Sequence, residues 1–220
     1  MASLELFAHP FSSYCQKAII AFYEHDIPFT MRTISPDEPE NGEELARLWP
    51  IKRFPVLKDG DHVLCEASII IEHLDIHDRG SLRLVPEHRV AALRVRMMDR
   101  FFDNYVSTPQ QKIVLDALRP DHEKDPAGVR DARATLDTSY AWLDKAMEDR
   151  EWAAADHFTM ADCGAAPFLF YAHWVHLIAP QFANVLAYRA RLLARPSFAR
   201  AVDEARHFRS FFPLPVPDED

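Results

Sequence analysis

His9-Pro10-Phe11-Ser12-Ser13-Tyr14-Cys15-Gln16-Lys17 is the stretch from which the fold is read. Before it, Leu4, Leu6 and Ala8 alternate as in a short strand, which the His9-Pro10 turn ends. After it, Ala18, Ile19, Phe22 and Tyr23 recur at helical spacing up to Ile27-Pro28. Ser12 and Ser13 stand where a helix would be capped. A strand running straight into a helix is the first half of a βαβ unit, and the chain continues in kind. Phe29 to Ile34 reads as a strand, Pro36 to Glu44 as a loop, and the residues up to Trp49-Pro50 as a short helix. Phe54-Pro55-Val56-Leu57-Lys58 and His62-Val63-Leu64-Cys65 read as a hairpin around Asp59-Gly60. Ile69-Ile70-Ile71 with Leu74 opens another helix.

Past this point the pattern changes. Residues 78–86 lapse into Asp, Arg, Gly, Ser and Pro and read as a linker between a first domain, 1–77, and a second, 87–220. Everything in the second reads as helix. One long amphipathic helix runs from Glu87 to about Leu118, bent near Pro109, and another from Ala127 to about Asp149. A more apolar one spans Thr159 to about Ile178, and two shorter ones split at Arg195-Pro196. The tail from Phe211 is rich in Pro and acid and is not expected to be helical throughout.

Composition bounds the partners. The 220 residues carry 48% hydrophobic side chains and a net charge of −9, enough apolar material for a sizeable core and no basic stretch to meet nucleic-acid phosphates. The Arg-rich run from Arg89 to Arg100 is interleaved with apolar residues and reads as a solvated helix face. Cys15, Cys65 and Cys163 are too few and too far apart for a disulfide framework. No signal peptide is expected from the opening residues, and no apolar run approaches the ~18 residues of a membrane span. The expectation is a cytoplasmic protein without membrane or nucleic-acid partners. His173 and His176 lie near Cys163, but neither Cys-x-x-Cys nor His-Glu-x-x-His accompanies them, so no metal is expected.

Three short motifs carry chemistry. The first is Ser12-Ser13-Tyr14-Cys15 at a helix N-terminus, where free N–H groups and a partial positive charge stabilise a thiolate. A thiol oxidoreductase would need a cysteine where Ser12 stands. A serine hydroxyl there can donate to a bound thiolate, or it can simply cap the helix. The second is Arg53-Phe54-Pro55-Val56. Pro55 is either a cis proline that turns the Phe54 backbone outward to pair with an extended peptide, or an ordinary edge-strand proline. Arg53 either pairs a carboxylate or is solvated. The third is Cys65-Glu66-Ala67-Ser68, where the N–H groups of Ala67 and Ser68 can receive a carboxylate and Glu66 an ammonium group, unless Glu66 is only a helix-start charge.

In this order the motifs resemble the glutathione transferase family, and the resemblance spans nearly the whole chain. Phe158-Thr159-Met160-Ala161-Asp162 is similar to that family's capping box. The resemblance implies an α/β thioredoxin-like N-terminal domain followed by an all-α C-terminal domain. The chain is most similar to the serine-type branches, such as zeta and theta. It further implies a homodimer, a role in detoxification, and glutathione as co-substrate. By position Ser12 matches the catalytic serine, with Ser13 its nearest rival. Phe54, before Pro55, matches the backbone that pairs with the cysteinyl part. Lys52 or Arg53 would hold the glycine carboxylate, and Glu66 and Ala67, with Ser68, the γ-glutamyl end. The family usually has Ser where this chain has Ala67, a loss of a hydrogen bond to a charged group worth roughly 1.5–3 kcal/mol; Ser68 is the residue placed to compensate. A small apolar electrophile would sit between the domains against Phe11, Phe101, Phe102, Tyr105, Tyr171 and Trp174, unless these aromatics are packing. A glutathione-dependent isomerase or dehalogenase, and a non-catalytic binding or scaffold protein, are alternatives on the same fold.

Overall fold

The computed structural model describes residues 4–77 and 82–217. Part of the expected linker, residues 78–81, therefore lies outside the described residues.

The first half is a four-stranded sheet with helices. Strand β1 (Glu5–Ala8) is central, and its Leu6, Phe7 and Ala8 are fully buried. It pairs in parallel with β2 (Thr30–Thr33) and antiparallel with β3 (Val56–Asp59), which pairs antiparallel with β4 (His62–Cys65). The order is β2-β1-β3-β4. The hairpin turns on Gly60-Asp61, one residue later than the sequence suggests, and Gly60 takes φ 57°, which costs glycine least. Helix α1 (Ser13–Glu24) links β1 to β2 and is buried on all sides from Cys15 to Phe22, because it packs against helices on more than one side.

Helix α2 (Pro39–Leu48) occupies much of the stretch read as a loop. Its charged first turns look like a loop in isolation, but Arg32 of β2 organises them. That guanidinium donates to Asn41 Oδ1 at 2.8 Å and to Glu44 at 3.2 Å, while Asn41 Nδ2 donates to the Thr33 carbonyl. Pro39, with its missing N–H, suits a first turn. Helix α3 (Ala67–His77) follows β4 directly and packs on α1.

The second half is helical: α4 (Arg89–Phe101), α5 (Thr108–Ala117), α6 (Pro126–Ala146), α7 (Met160–Val175), α8 (Ala183–Leu193) and α9 (Pro196–Ala205), followed by a 3-10 segment (Arg206–Phe211). The chain thus has a thioredoxin-like α/β half and an all-helical half. The expected long helix from Glu87 to Leu118 is found as α4 and α5 with a π-helical stretch, Phe102–Ser107, between them, just before Pro109. The cause lies in Pro109, which has no N–H to give the Tyr105 carbonyl one turn back. The Ser139 hydroxyl of α6 donates to that carbonyl instead, at 2.8 Å. Helix α7 is buried along nearly its whole length and packs on α1, α4, α5 and α8. Among the described residues no helix is long and apolar enough to cross a membrane.

The capping box of α7 is formed as expected. Asp162 accepts from the Thr159 N–H at 2.8 Å and from its hydroxyl at 2.9 Å. Its other oxygen accepts from the Ala153 N–H and the Tyr188 hydroxyl, so one fully buried carboxylate ties three segments together. Replacing Asp162 with Ala strands those donors without solvent, so Asp162→Ala is expected to lower unfolding free energy by about 2–4 kcal/mol in urea titration. An unchanged midpoint would remove the carboxylate from its structural role.

Candidate functional site

The sheet register gathers the three sequence motifs. Phe7 of β1 faces Val56 of β3, which faces Cys65 of β4. The turn after β1, the Phe54-Pro55 step before β3 and the Glu66-Ala67 step after β4 therefore leave from the same end of three adjacent strands. Neighbouring strands lie about 4.8 Å apart, so this end spans roughly 10 Å. An extended tripeptide has about that length.

Each corner has its own support. Ser12 is the N-cap residue of α1 by backbone, with φ −84° and ψ 125°, yet its side chain makes no capping bond. Its hydroxyl instead meets the Cys15 thiol. The turn that presents it is held by His9, whose Nδ1 accepts from the Phe11 N–H at 3.1 Å and whose carbonyl accepts from the Ser12 N–H at 3.0 Å. Burial, with His207 nearby, holds the His9 imidazole below its ordinary pKa, which keeps it in the neutral form that accepts. Ser12 is half-buried, whereas Ser13 is buried at the first position of the helix.

The Phe54-Pro55 peptide bond is cis. Lys52 and Arg53 before it are exposed, and Lys52 has φ 58°. Glu66 is exposed and also left-handed, at φ 74°, an uncommon conformation for a residue with a side chain. Ala67 and Ser68 open α3, and both are buried. Ser68 does not stand ready to replace the missing hydroxyl of position 67. Its Oγ accepts from Lys17 Nζ at 2.9 Å and Arg100 Nη2 at 2.6 Å, and donates to Asp99 Oδ2 at 2.7 Å. One proton and two lone pairs are thereby used up.

That cluster was not legible beforehand. Lys17 is fully buried and pairs with Asp99 at 2.6 Å and Asp103 at 2.8 Å. The Lys17 and Arg100 charges hold the Asp99 carboxyl below the usual range against its own desolvation, while burial pushes Asp103 up. The sequence signal was present in Lys17 at a position that helical spacing places on a buried face, but nothing in sequence pairs it with residues so far along.

The six aromatics expected around the electrophile fall into separate places. Phe11 packs edge-on against Tyr171, with centroids 5.5 Å apart, and lies 6.3 Å from Trp174. Phe101 and Tyr105 lie elsewhere, lining a cavity of about 820 Å³ between the π stretch and α6, together with Met97, Arg100, Thr138 and Trp142. Phe102 is fully buried in the core and lines no open space; the expectation for it is corrected, because the π stretch turns it inward. Around Phe11 the space is nearly filled, with about 10 Å³ remaining. The C-terminal segment fills it: Phe212 packs edge-on against Trp174 at 5.1 Å and stacks on Tyr171 at 6.4 Å, and Arg209 donates to the Pro217 carbonyl. Among the described residues no group of three or more His, Cys, Asp or Glu is arranged to hold a metal.

Comparison with known proteins agrees with this architecture. Residues 6–81 match the glutathione S-transferase N-terminal domain family and residues 126–191 the C-terminal domain family. The chain belongs to the glutathione S-transferase family. It is 26% identical over 205 residues to a stringent starvation protein A homolog of Coxiella burnetii, covering 92% of each chain. It is 27% identical over 184 residues to glutathione S-transferase theta-1 of Mus musculus, covering 76% of this chain and 72% of that one. A glutathione S-transferase from Methylobacillus flagellatus, solved with glutathione bound, superposes with a TM-score of 0.80 at 24% identity, covering 90% of this chain and 98% of that one.

Cys15 separates this site from a thiol oxidoreductase. It is fully buried, and desolvation pushes its thiol up to about 12 despite the Ser12 and His9 contacts. At pH 8 only on the order of one in ten thousand such thiols is ionised. Iodoacetamide at pH 8 is therefore expected to alkylate partly exposed Cys65 in the native protein, and Cys15 and buried Cys163 only after denaturation, as read by peptide mass spectrometry. Fast native labelling of Cys15 would reopen the redox reading.

Proposed function

We propose that this chain is a glutathione transferase that binds glutathione along the common end of β1, β3 and β4 and activates its thiol with Ser12. The observation that carries the reading is the convergence of the Ser12 turn, the Phe54-Pro55 step and the Glu66-Ala67 step across the span of a tripeptide. In this reading the thiol lies at Ser12, beyond the N-terminus of α1. Phe54 pairs its backbone with the cysteinyl residue, Lys52 or Arg53 holds the glycine carboxylate, and Glu66 and Ala67 receive the γ-glutamyl end. Ser12 is preferred to Ser13 because it is the more exposed of the two and its hydroxyl does no capping.

The chemistry follows from the position. A free thiol of pKa ~8.5 is about 3% ionised at pH 7. Lowering that pKa by about two units, worth ~2.7 kcal/mol, makes most of it thiolate. The Ser12 hydroxyl donates one hydrogen bond to the sulfur, and the first-turn N–H groups of α1 supply partial positive charge. The thiolate attacks an electrophilic carbon of a small apolar substrate, forming a carbon–sulfur bond as the leaving group departs or the acceptor takes up the electron pair. Ser12 stabilises charge and forms no covalent bond. The electrophile approaches over Phe11, beside Ser12, so Phe212 and its neighbours form part of the wall or must shift for a larger substrate. Isomerisation or dehalogenation would use the same thiolate. A cytoplasmic setting suits the three free thiols.

A second reading, a binding protein that has kept the fold, is favoured by one observation. Position 67 lacks a hydroxyl, and the hydroxyl of Ser68 is already saturated. Calorimetric titration separates the two. Glutathione is expected to bind wild type, with thiolate absorbance appearing below pH 7, and Ser12→Ala is expected to return that titration toward pH 8–9. Absence of binding at millimolar glutathione would favour the binding-protein reading.

We further infer a homodimer through the face formed by α3 and α4. Ile69 and Ile76 of α3 and Val90, Leu93 and Met97 of α4 are exposed, and the Glu72–Arg96 ion pair at 2.7 Å joins the two rows. Such a contiguous apolar face on a folded chain marks an interface. Sedimentation equilibrium is expected to give twice the chain mass for wild type and the chain mass for Leu93→Glu/Met97→Glu. A monomeric wild type would exclude it.

A further inference from the structure

We propose that Arg100 binds the α-carboxylate at the γ-glutamyl end of glutathione, in place of the side-chain hydroxyl that Ala67 lacks. The inference rests on the glutathione reading above and adds a residue from the helical half to a site otherwise built from the α/β half.

The need for such a group is visible at the start of α3. Ala67 offers a backbone N–H and no hydroxyl, and the Ser68 hydroxyl is consumed by Lys17, Arg100 and Asp99. A carboxylate placed there would have only the N–H groups of a first helical turn. Arg100 of α4, which also lines the cavity of Phe101 and Tyr105, reaches this helix start. Its Nη2 lies 2.6 Å from Ser68 Oγ, in the residue whose own N–H belongs to that first turn. Glu66 and Arg100 both act electrostatically on Tyr14, so the acid proposed for the ammonium group and the guanidinium proposed for the carboxylate lie within electrostatic range of one residue.

The guanidinium is also held in a way that leaves it usable. Its contacts with Ser68, Asp99 and Asp103 all run through Nη2. Among the described residues Nη1 and Nε have no protein partner, and the side chain is about half exposed. With Nη2 anchored, Nη1 and Nε remain open, and each can give a carboxylate a single charge-assisted hydrogen bond from a side chain that is already held in place. The cluster is balanced, because Lys17 and Arg100 together face the carboxylates of Asp99 and Asp103, so an incoming carboxylate would share Arg100 with them. A zwitterionic head would then lie with its ammonium toward Glu66 and its carboxylate between Arg100 and the opening of α3.

The proposal predicts discrimination. Glutathione and its analogue 4-aminobutyryl-cysteinyl-glycine differ only in that α-carboxylate. Calorimetry is expected to show wild type binding glutathione about 10- to 100-fold more tightly than the analogue. Arg100→Gln should remove most of that advantage by weakening glutathione while leaving the analogue unchanged, and Arg100→Lys should keep part of it. Ala67→Ser introduced into Arg100→Gln should restore part of it. Equal weakening of both peptides would assign Arg100 a scaffold role and overturn the proposal, as would undiminished discrimination in Arg100→Gln. Should that variant fail to fold, Arg100→Lys decides: full wild-type discrimination with a melting temperature unchanged overturns it. If wild type binds neither peptide, the glutathione reading falls and this inference with it; if wild type binds glutathione but does not discriminate, only this inference falls.

Discussion

A single ammonium group in the interior sets the terms for the rest of the structure. Lys17 sits in the second turn of α1 with no exposure, and a charge without water must be paired where it stands. Its partners come from three other places: Ser68 in α3, Asp99 in α4 and Asp103 in the π stretch. The helix that begins at Ser12 is therefore fixed against the helix that begins at Ala67 and against the helical half in one arrangement. A Cβ on Gly164 of α7 would meet Lys17 Cε at 3.4 Å, in van der Waals contact with the stem. Removing one partner of such a cluster leaves another charge stranded, typically at 3–5 kcal/mol.

Much of this was legible in the sequence, and the reason is local. The strand, the Ser12-Ser13 turn, the helix, the hairpin and the Thr159-Asp162 capping box each announce themselves within a few residues, and the structure contains them. Pro55 left a choice between two backbone forms, and the cis form is the one present. What escaped depends on partners distant in sequence. Residues 39–44 read as loop because their helix is organised by Arg32. The interruption after Phe101 depends on a hydroxyl from Ser139. Ser68 is free by its local sequence, and its hydroxyl is occupied only because Lys17, Asp99 and Arg100 converge on it. The aromatics shared one expected role because they share chemistry, but helix phase divides them: Phe11, Tyr171 and Trp174 meet around Phe212, while Phe101 and Tyr105 face Trp142.

The proposed site also divides its labour between rigid and adjustable parts. The three corners lie at strand ends whose register is fixed by backbone pairing and a buried hydrophobic sheet. The wall over Phe11 is built from the last described residues, held by ring contacts and by Arg209 on the Pro217 carbonyl. Fixed geometry suits a constant tripeptide, and a wall made of the chain's tail suits a second substrate of variable shape.

The π stretch has a consequence for comparing this chain with its relatives. A π turn accommodates one residue more than the α-helix it interrupts, without opening a loop. Each residue of an α-helix turns the next by about 100°, so the extra one rotates everything after it relative to everything before. Residues up to Phe101, Arg100 among them, thus keep one phase, and those from Thr108 onward another. The stretch lies between the segments 6–81 and 126–191 that the family patterns cover. A relative lacking the proline at 109 can run an unbroken helix there with one residue fewer. Aligned without that gap, its counterparts of the residues from Thr108 onward would be sought on the wrong side of the helix.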